Sequence, residues 1–521
     1  MRVLQGSRLW IPIVAALAIL PRPTAGSADN TRFFTLSKET RLHPVEKGRT
    51  LFVENESGSI IILAWSKDEI AVKATIEMLN IDRKNLDLFT QKTKVEVESY
   101  RDGYRVVVHL PEASPIHTKH FPKMVRGCIK ELKEGRCVYV PSAEVALEVT
   151  VPRSMSVNVE TSYGDVEVAD VHGDVWIHNE SGEIDVTGVQ GDLELDNSYG
   201  TVKVSRCGGH LTVRNRSGGV YAEAVQGPVS VRSSYAPVVV RNSGNSVVIS
   251  NESGEVVAEN IGGQLQIESS YEPVTVNQVH GALKLNCQSG KIRVDNIHGH
   301  AQINGSYEPI EFRNIGGNLA IRAQSSRVTG SIVEGNADIT SSYEDIDVMD
   351  VGGRCNIHGD SSPVSVKNIS GETRVRTSYG EIDATDVRAS LHIEGNSCPV
   401  IVNDVQGELR VSNSHAYVIV KGSVSSIEIE GNSSPVEISE IRKLPAGGLY
   451  NIRTTYKRIR LALPPDPSAD IVAITYDGEI ASDFPMVRDS DGIKKASATL
   501  GAGDTKIRLD TCGDIFITKE R

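Results

Sequence analysis

Aromatic side chains are scarce in this chain. They make up 5% of its 521 residues, with three tryptophans and eight phenylalanines. A deep conventional core is hard to build from that stock, whereas 46 glycines suit many short strands and tight turns. Basic charge is also in deficit. The formal net charge is −12. No Lys/Arg run or basic aromatic stripe offsets it, which excludes a nucleic-acid surface. Long apolar runs are missing beyond "LWIPIVAALAIL", residues 9–20. That run is too short to cross a bilayer comfortably, so no transmembrane span is expected. Residues 155–440 have no helical period, which excludes globin-like and Rossmann folds. Catalytic signatures are lacking as well. There is no "GxSxG", no Ser-His-Asp order and no "GGxGxD" calcium nonapeptide.

The N-terminus carries a location signal. Arg2 and Arg8 precede the apolar run, Pro21 and Pro23 break it, and small residues lead to Ala28. Residues 1–28 therefore read as a secretory signal peptide, and the mature chain is expected to be exported: periplasmic, cell-surface or secreted. The seven cysteines are an odd number. Cys128 and Cys137 flank "IKELKEGR", and in an exported protein they are candidates for a small disulfide loop. His117 and His120 make the same region a zinc candidate, with the disulfide preferred. Cys207 and Cys355 fall in apolar columns and are expected as buried thiols. Cys287, Cys398 and Cys512 are scattered.

What the chain has in abundance is repetition. Tyr163, Tyr199, Tyr235, Tyr271, Tyr307, Tyr343 and Tyr379 recur every 36 residues, and His415 stands next in the series. Serines sit midway, from Ser181 through Ser253 to Ser433, so the period is 18. A column from Val166 to Val436 is β-branched at all sixteen positions, and a second runs from Ile177 to Ile429. One repeat, "GDVEVADVHGDVWIHNES", splits into two halves, each with glycine, a polar residue, then apolar-x-apolar. That alternation marks a short strand with one buried face. Glycines at 173, 191, 209, 227, 263, 281, 299, 317, 335, 353, 371 and 407 are assigned positive φ or tight clearance at a corner. Such strands bury their faces only by stacking, which predicts a parallel β-solenoid. Sixteen coils spaced about 4.8 Å apart predict a rod of roughly 75 Å. The rival reading is a β-propeller with one four-stranded blade per 36 residues.

The predicted division is 1–28 signal peptide, 29–160 N-terminal degenerate coil and cap, 161–443 solenoid, and 444–521 C-terminal coils and cap. "VENESGSIIIL" reads as the first coil. "NIDRKNLDLFTQKTK" reads as an amphipathic helix with Leu86 and Phe89 on one face, and "VEVESYRDGYRVVVHL" as a hairpin turning at Asp102-Gly103. Residues 73–150 are expected to cover an open end.

"VENESGSIIIL", the "TSYGDVEV" repeats and the closing "IRLDTCGDIFIT" together resemble a bacterial family of β-strand-repeat candidate adhesins. The resemblance covers most of the mature chain. It implies surface adhesion and brings no catalytic motif or cofactor with it.

Two roles suit the tyrosines. Repeated aromatics usually pack, so the first expectation is that each Tyr turns partly inward and fills a corner over a small serine. The second is a binding face: a row of rings, with Glu272, Glu308 and Glu344 beside three of them, stacking on sugars or meeting a repetitive partner. The polar column Asn179, Asn197, Asn215, Ser233, Asn251 and Ser269 is expected to bond along the stack and to turn backbone. Asp165, Glu183, Glu255 and Glu381 read as solubilising turn charges. His280, His298 and His300 read first as solvated turn residues and second as metal ligands. The function expected is therefore a non-enzymatic adhesin or scaffold. It would bind a glycan, cell-surface polymer or protein along the rod. The alternative is an exported carbohydrate-active enzyme on the same β-helix.

Overall fold

The computed structural model describes residues 33–79, 83–110, 143–489 and 494–520. The signal peptide, the Cys128/Cys137 loop, His117 and His120 lie outside them. The chain divides into two compact units, residues 1–245 and 246–521. Each is a parallel β-solenoid.

In the first unit, Ser156–Tyr163, Val175–Ser181, Leu193–Tyr199, Leu211–Asn215 and Val229–Ser233 stack as one ladder. Val166–Ala169, Ile184–Thr187, Val202–Cys207, Val220–Val225 and Val238–Ser243 form another. Partners are 18 residues apart and parallel, as with Ile177 beside Leu195 and Val202 beside Val220. This pairing overturns the propeller, whose blades need antiparallel neighbours within each 36-residue unit. The second unit repeats the arrangement, with Val274 beside Ile292 and Ile303 beside Ile321. Every member of the two predicted columns is buried, none more than 2% exposed.

A third buried column was not singled out in the sequence. It holds Val171, Val189, Cys207 and Val225 in one unit, and Ile261, Val279, Ile297 and Ile315 in the other. The residue before each turns it inward. Asp170, Arg206, Ala224, Asn260, Gln278, Asn296 and Asn314 all have φ between 55° and 58°. Asn and Asp tolerate that left-handed region because their short side chains bond locally. Here the bonds also run between coils, as from Asn314 Nδ2 to Asn296 Oδ1 at 2.6 Å.

The corner glycines are thereby corrected. None of the twelve has positive φ, because the turn is already made three residues earlier. They provide clearance: a Cβ on Gly299 would lie 2.5 Å from the carbonyl oxygen of Gly281.

Both ends depart from the repeat. Thr50–Ser57 and Ile60–Trp65 form the expected first coil, with Val53 beside Val159 and Ile60 beside Val166. Gly103–His109 and Ala143–Pro152 lie on its far side, still parallel. Then the direction changes: Ile70–Leu79 runs antiparallel to Ala143–Pro152, and Phe33–Leu42 antiparallel to Ile70–Leu79. An antiparallel layer does not offer another coil a parallel edge in step with its own. The helix spans Arg83–Lys92 and buries Leu86 and Phe89 as expected. The hairpin turns one residue earlier than predicted, at Arg101-Asp102, because Arg101 adopts a φ of 47° and Tyr100 pairs with Gly103.

At the other end Val436 pairs with Ile459, a step of 23 residues. The final strands of the sequence are not the final strands of the stack. Thr505–Thr511 lies between Leu449–Thr454 and Ala469–Thr475. Lys494–Leu500 then runs antiparallel to Ala469–Thr475. The closing "IRLDTCGDIFIT" is thus an internal coil.

Candidate functional site: the tyrosine corner

The corner is built by the buried polar column. In the first unit Asn179, Asn197 and Asn215 donate from Nδ2 to the carbonyl oxygens of Gly164, Gly182 and Gly200, at 3.0, 3.1 and 2.9 Å. In the second, Ser341 and Thr377 donate to the carbonyls of Ser326 and Ser362, both at 2.8 Å, and Asn413 to that of Cys398 at 2.7 Å. Each bond joins a coil to the residue just past the Tyr/Ser position of the coil before. The column therefore occupies the inside of the corner; its asparagines bond the turn backbone as expected, whereas the buried Ser233 and Ser269 hydroxyls make no such bond.

The tyrosines are left outside. Tyr199 is 57% exposed and Tyr379 is 69% exposed, and the other five fall between. Corner filling is overturned. Strand alternation ends at the buried polar residue, and the chain turns before the ring can point inward. Among the described residues, nothing hydrogen-bonds the phenol oxygen of any of the seven.

Three corner types present the rings. In the first unit Tyr163 and Tyr199 end their strands, and the turn falls on Gly164 and Gly200, with φ of 154° and 149°. From Tyr307 onward the aromatic residue itself is left-handed, whereas Tyr235 and Tyr271, each two residues before a proline, have neither a positive φ of their own nor a positive-φ glycine after them. Tyr307, Tyr343, Tyr379 and His415 have φ of 69°, 67°, 62° and 62°. The amides of Glu308, Glu344, Gly380 and Ala416 donate to the carbonyls of Ser306, Ser342, Ser378 and Ser414, at 2.8–2.9 Å. These are positive-φ γ-turns, a strained and uncommon form. Ser325, Ser361, Ser397 and Ser433 also have positive φ, between 51° and 60°.

Register sets what lies around each ring. Tyr163 pairs with Ser57 on one side and Ser181 on the other. In the second unit the coils between tyrosines place an exposed polar side chain before each serine: Gln288, Gln324, Asp360, Asn396 and Asn432. Ser306 pairs with Gln324, and Ser342 with Asp360. Glu272, Glu308 and Glu344 are exposed beside their tyrosines. A trough of about 350 Å³ reaches Ser270 and Ser306, the residues before Tyr271 and Tyr307, and is lined by Asn286, Gln288, Asn304, Arg322 and Gln324 among others. Asn304 donates to Asn286 Oδ1 there at 2.6 Å.

One member of the row was missed. Gly431 pairs with Thr454, which places Tyr456 beside Ser433. Tyr456 is 72% exposed with φ of 59°, and Thr454 bonds the carbonyl of Ser434 at 2.7 Å as its counterparts do. The step of 23 hides it from an 18-residue count, although "TTYKRI" matches "TSYGEI" in form.

The other candidates do not converge. His280 and His298 stack face to face, centroids 4.8 Å apart and 4° from parallel. Their Nδ1 atoms face the carbonyls of Ile261 and Val279, and His300 Nδ1 accepts the Asn318 amide at 2.8 Å. His300 therefore belongs to a separate ladder. Among the described residues the only metal-sized group is exposed or half-buried, Glu96, Glu98 and His109. Cys207, Cys287, Cys355 and Cys398 are buried free thiols. Burial pushes the Cys355 thiol up to about 12, which keeps it neutral and unreactive. Asp165 Oδ1 accepts the Glu183 amide at 2.8 Å, tying adjacent coils. Asp347 titrates above the usual carboxylate range through partial burial and then Asp345. It stands in the regular ladder between Thr329 and Ser365.

Fold and corner define a parallel β-solenoid that presents a periodic row of exposed tyrosines. No family model matches the chain, and no curated protein matches it. Among solved structures it is similar to a candidate adhesin from Bacteroides fragilis NCTC 9343. Identity there is 10% and the TM-score 0.26, over 50% of this chain and 95% of that one. It is also similar to a candidate cell-adhesion protein from Clostridium sporogenes ATCC 15579. Those values are 9% and 0.19, over 47% of this chain and 96% of that one. Likenesses this distant carry no argument about a partner. No helix among the described residues is long and apolar enough to cross a membrane.

Proposed function

We propose that the protein is an exported, non-enzymatic solenoid that binds an extended, repetitive partner through its tyrosine corners. One observation carries the reading. Tyr307, Tyr343 and Tyr379 are exposed rings on left-handed backbone. Neither burial nor local conformation favours tyrosine there, and left-handed φ costs about 1–2 kcal/mol per residue. Such strain points toward a role outside folding. Of the carboxylates considered for an enzyme, Asp165 accepts the Glu183 amide and Glu183 pairs with Lys203, both between adjacent coils.

The test is co-sedimentation of the chain from residue 29 with isolated bacterial envelopes. Tyr307→Ser, Tyr343→Ser and Tyr379→Ser are combined in one variant. Serine is the conservative choice, because Ser325, Ser361 and Ser397 already hold this position with positive φ. The wild type should sediment with envelopes and the variant should remain in solution, with unchanged melting. Equal sedimentation of the two would reject the reading.

A further inference from the structure

We infer that the second unit's corner takes a neutral β-1,4-linked pyranose chain laid along the stack, one disaccharide per pair of coils. This rests on the binding-face reading above and names its ligand class.

Tyr271, Tyr307 and Tyr343 stand two coils apart, hence about 9.6 Å at a strand spacing of about 4.8 Å. In a β-1,4 chain each sugar is flipped relative to the last, so equivalent ring faces recur once per disaccharide. A pyranose is about as long as one coil is tall, so each second sugar meets a tyrosine. The intervening sugar lies over a serine, where there is room for its other edge. An extended peptide repeats its face every two residues, about 6.6 Å, and falls out of step. A polyproline II helix turns every three residues, about 9.3 Å, and keeps step. Spacing alone therefore leaves two ligands.

Hydrogen-bonding chemistry separates them. The groups alternating with the rings are Gln288, Gln324 and Asp360, with Glu272, Glu308 and Glu344 at the tyrosines' other side. Carboxylates accept only, and amides both donate and accept. A polyproline ligand has no backbone N–H to give, so it leaves the carboxylates unanswered. A sugar hydroxyl donates and accepts, and satisfies both. The trough that reaches Ser270 and Ser306, the residues before Tyr271 and Tyr307, adds the amides of Asn286, Gln288, Asn304 and Gln324 and the Arg322 guanidinium. The carboxylates along the row, with a chain net charge of −12, disfavour an anionic polymer. An apolar ring face with hydroxyls at its rim is what a tyrosine bordered by amides and carboxylates complements.

The experiment is calorimetric titration of the chain from residue 29 with β-1,4-linked glucose and N-acetylglucosamine oligomers of increasing length. Controls are β-1,3-linked glucose oligomers and a proline-rich peptide. Affinity should rise in steps of one disaccharide, each up to about tenfold, until the tyrosines are covered. The β-1,3 oligomers should bind about tenfold more weakly or worse, since their rings do not recur in step. Tyr271→Ser with Tyr307→Ser should remove two of the steps, the same change at Tyr343 and Tyr379 as well should abolish them, and Gln288→Ala with Asn304→Ala should weaken binding without moving the melting temperature. Affinity independent of length, equal binding of β-1,3 oligomers, or tyrosine-dependent binding of the peptide instead would overturn the proposal. If envelopes still sediment the protein in a tyrosine-dependent way while no oligomer binds, the glycan assignment falls and the binding face stands. If neither occurs, both fall.

Discussion

Asn413 donates from Nδ2 to the carbonyl oxygen of Cys398 at 2.7 Å, one coil and 15 residues away. Both residues are buried, so the bond has no water to replace it. Asn413→Ala should cost about 1–3 kcal/mol by leaving that carbonyl unpaired. Asn413→Thr should recover most of the loss, because Thr377 makes the same bond to Ser362. Thermal unfolding of the three proteins checks this. Equal losses in both variants would show that the amide's volume matters and its hydrogen bond does not.

Tyr379 is exposed and left-handed. Tyr379→Gly should therefore leave stability within about 1 kcal/mol of wild type, since relief of backbone strain offsets the entropy of glycine. A buried aromatic would cost about 3–5 kcal/mol on truncation. A melting-temperature loss on that scale would mean that the ring packs.

Gly200 should tolerate no side chain. Its φ is 149°, and a Cβ would lie 2.0 Å from the carbonyl oxygen of Gly182. Gly200→Ala should destabilise the first unit by about 1–3 kcal/mol. Unchanged unfolding would mean that this corner converts readily to the form in which the tyrosine carries the positive φ.

Glu311 lies 2.6 Å from Lys291 and 2.8 Å from Arg293. Hydrogen bonds from Lys291, then from Arg293, hold its carboxyl below the usual carboxylate range. A carboxyl depressed in the folded state contributes stability above its unfolded value, near about 4.3, and loses it as pH falls through the folded value. Melts at stepped pH and low salt should therefore fall more steeply below about pH 4.3 for wild type than for Glu311→Gln. The group is part-exposed, so the difference should be small and fade with salt. Parallel curves at low salt would remove the ion pair from the account of acid stability.

Much of this architecture was written in the sequence as periodicity. A side chain that recurs every 18 residues has the same neighbours in every coil. Burial of the Val166 and Ile177 columns, the parallel register and the bonding role of Asn179 therefore followed from counting. The Arg83–Lys92 helix and the first coil were legible for the same local reasons. What counting could not reach was the backbone at the corners. Parity along a strand predicts an inward Tyr199, but the inside of the corner was already taken by Asn197, and only the folded turn decides which of the two yields. The same holds for Asp170 and its column, where φ and not residue type places the third apolar face. Tyr456 and the insertion of Thr505–Thr511 between earlier strands were decided by tertiary pairing alone. Pairing joins residues by stacked position, and once an insertion changes the step, distance along the chain no longer reports it.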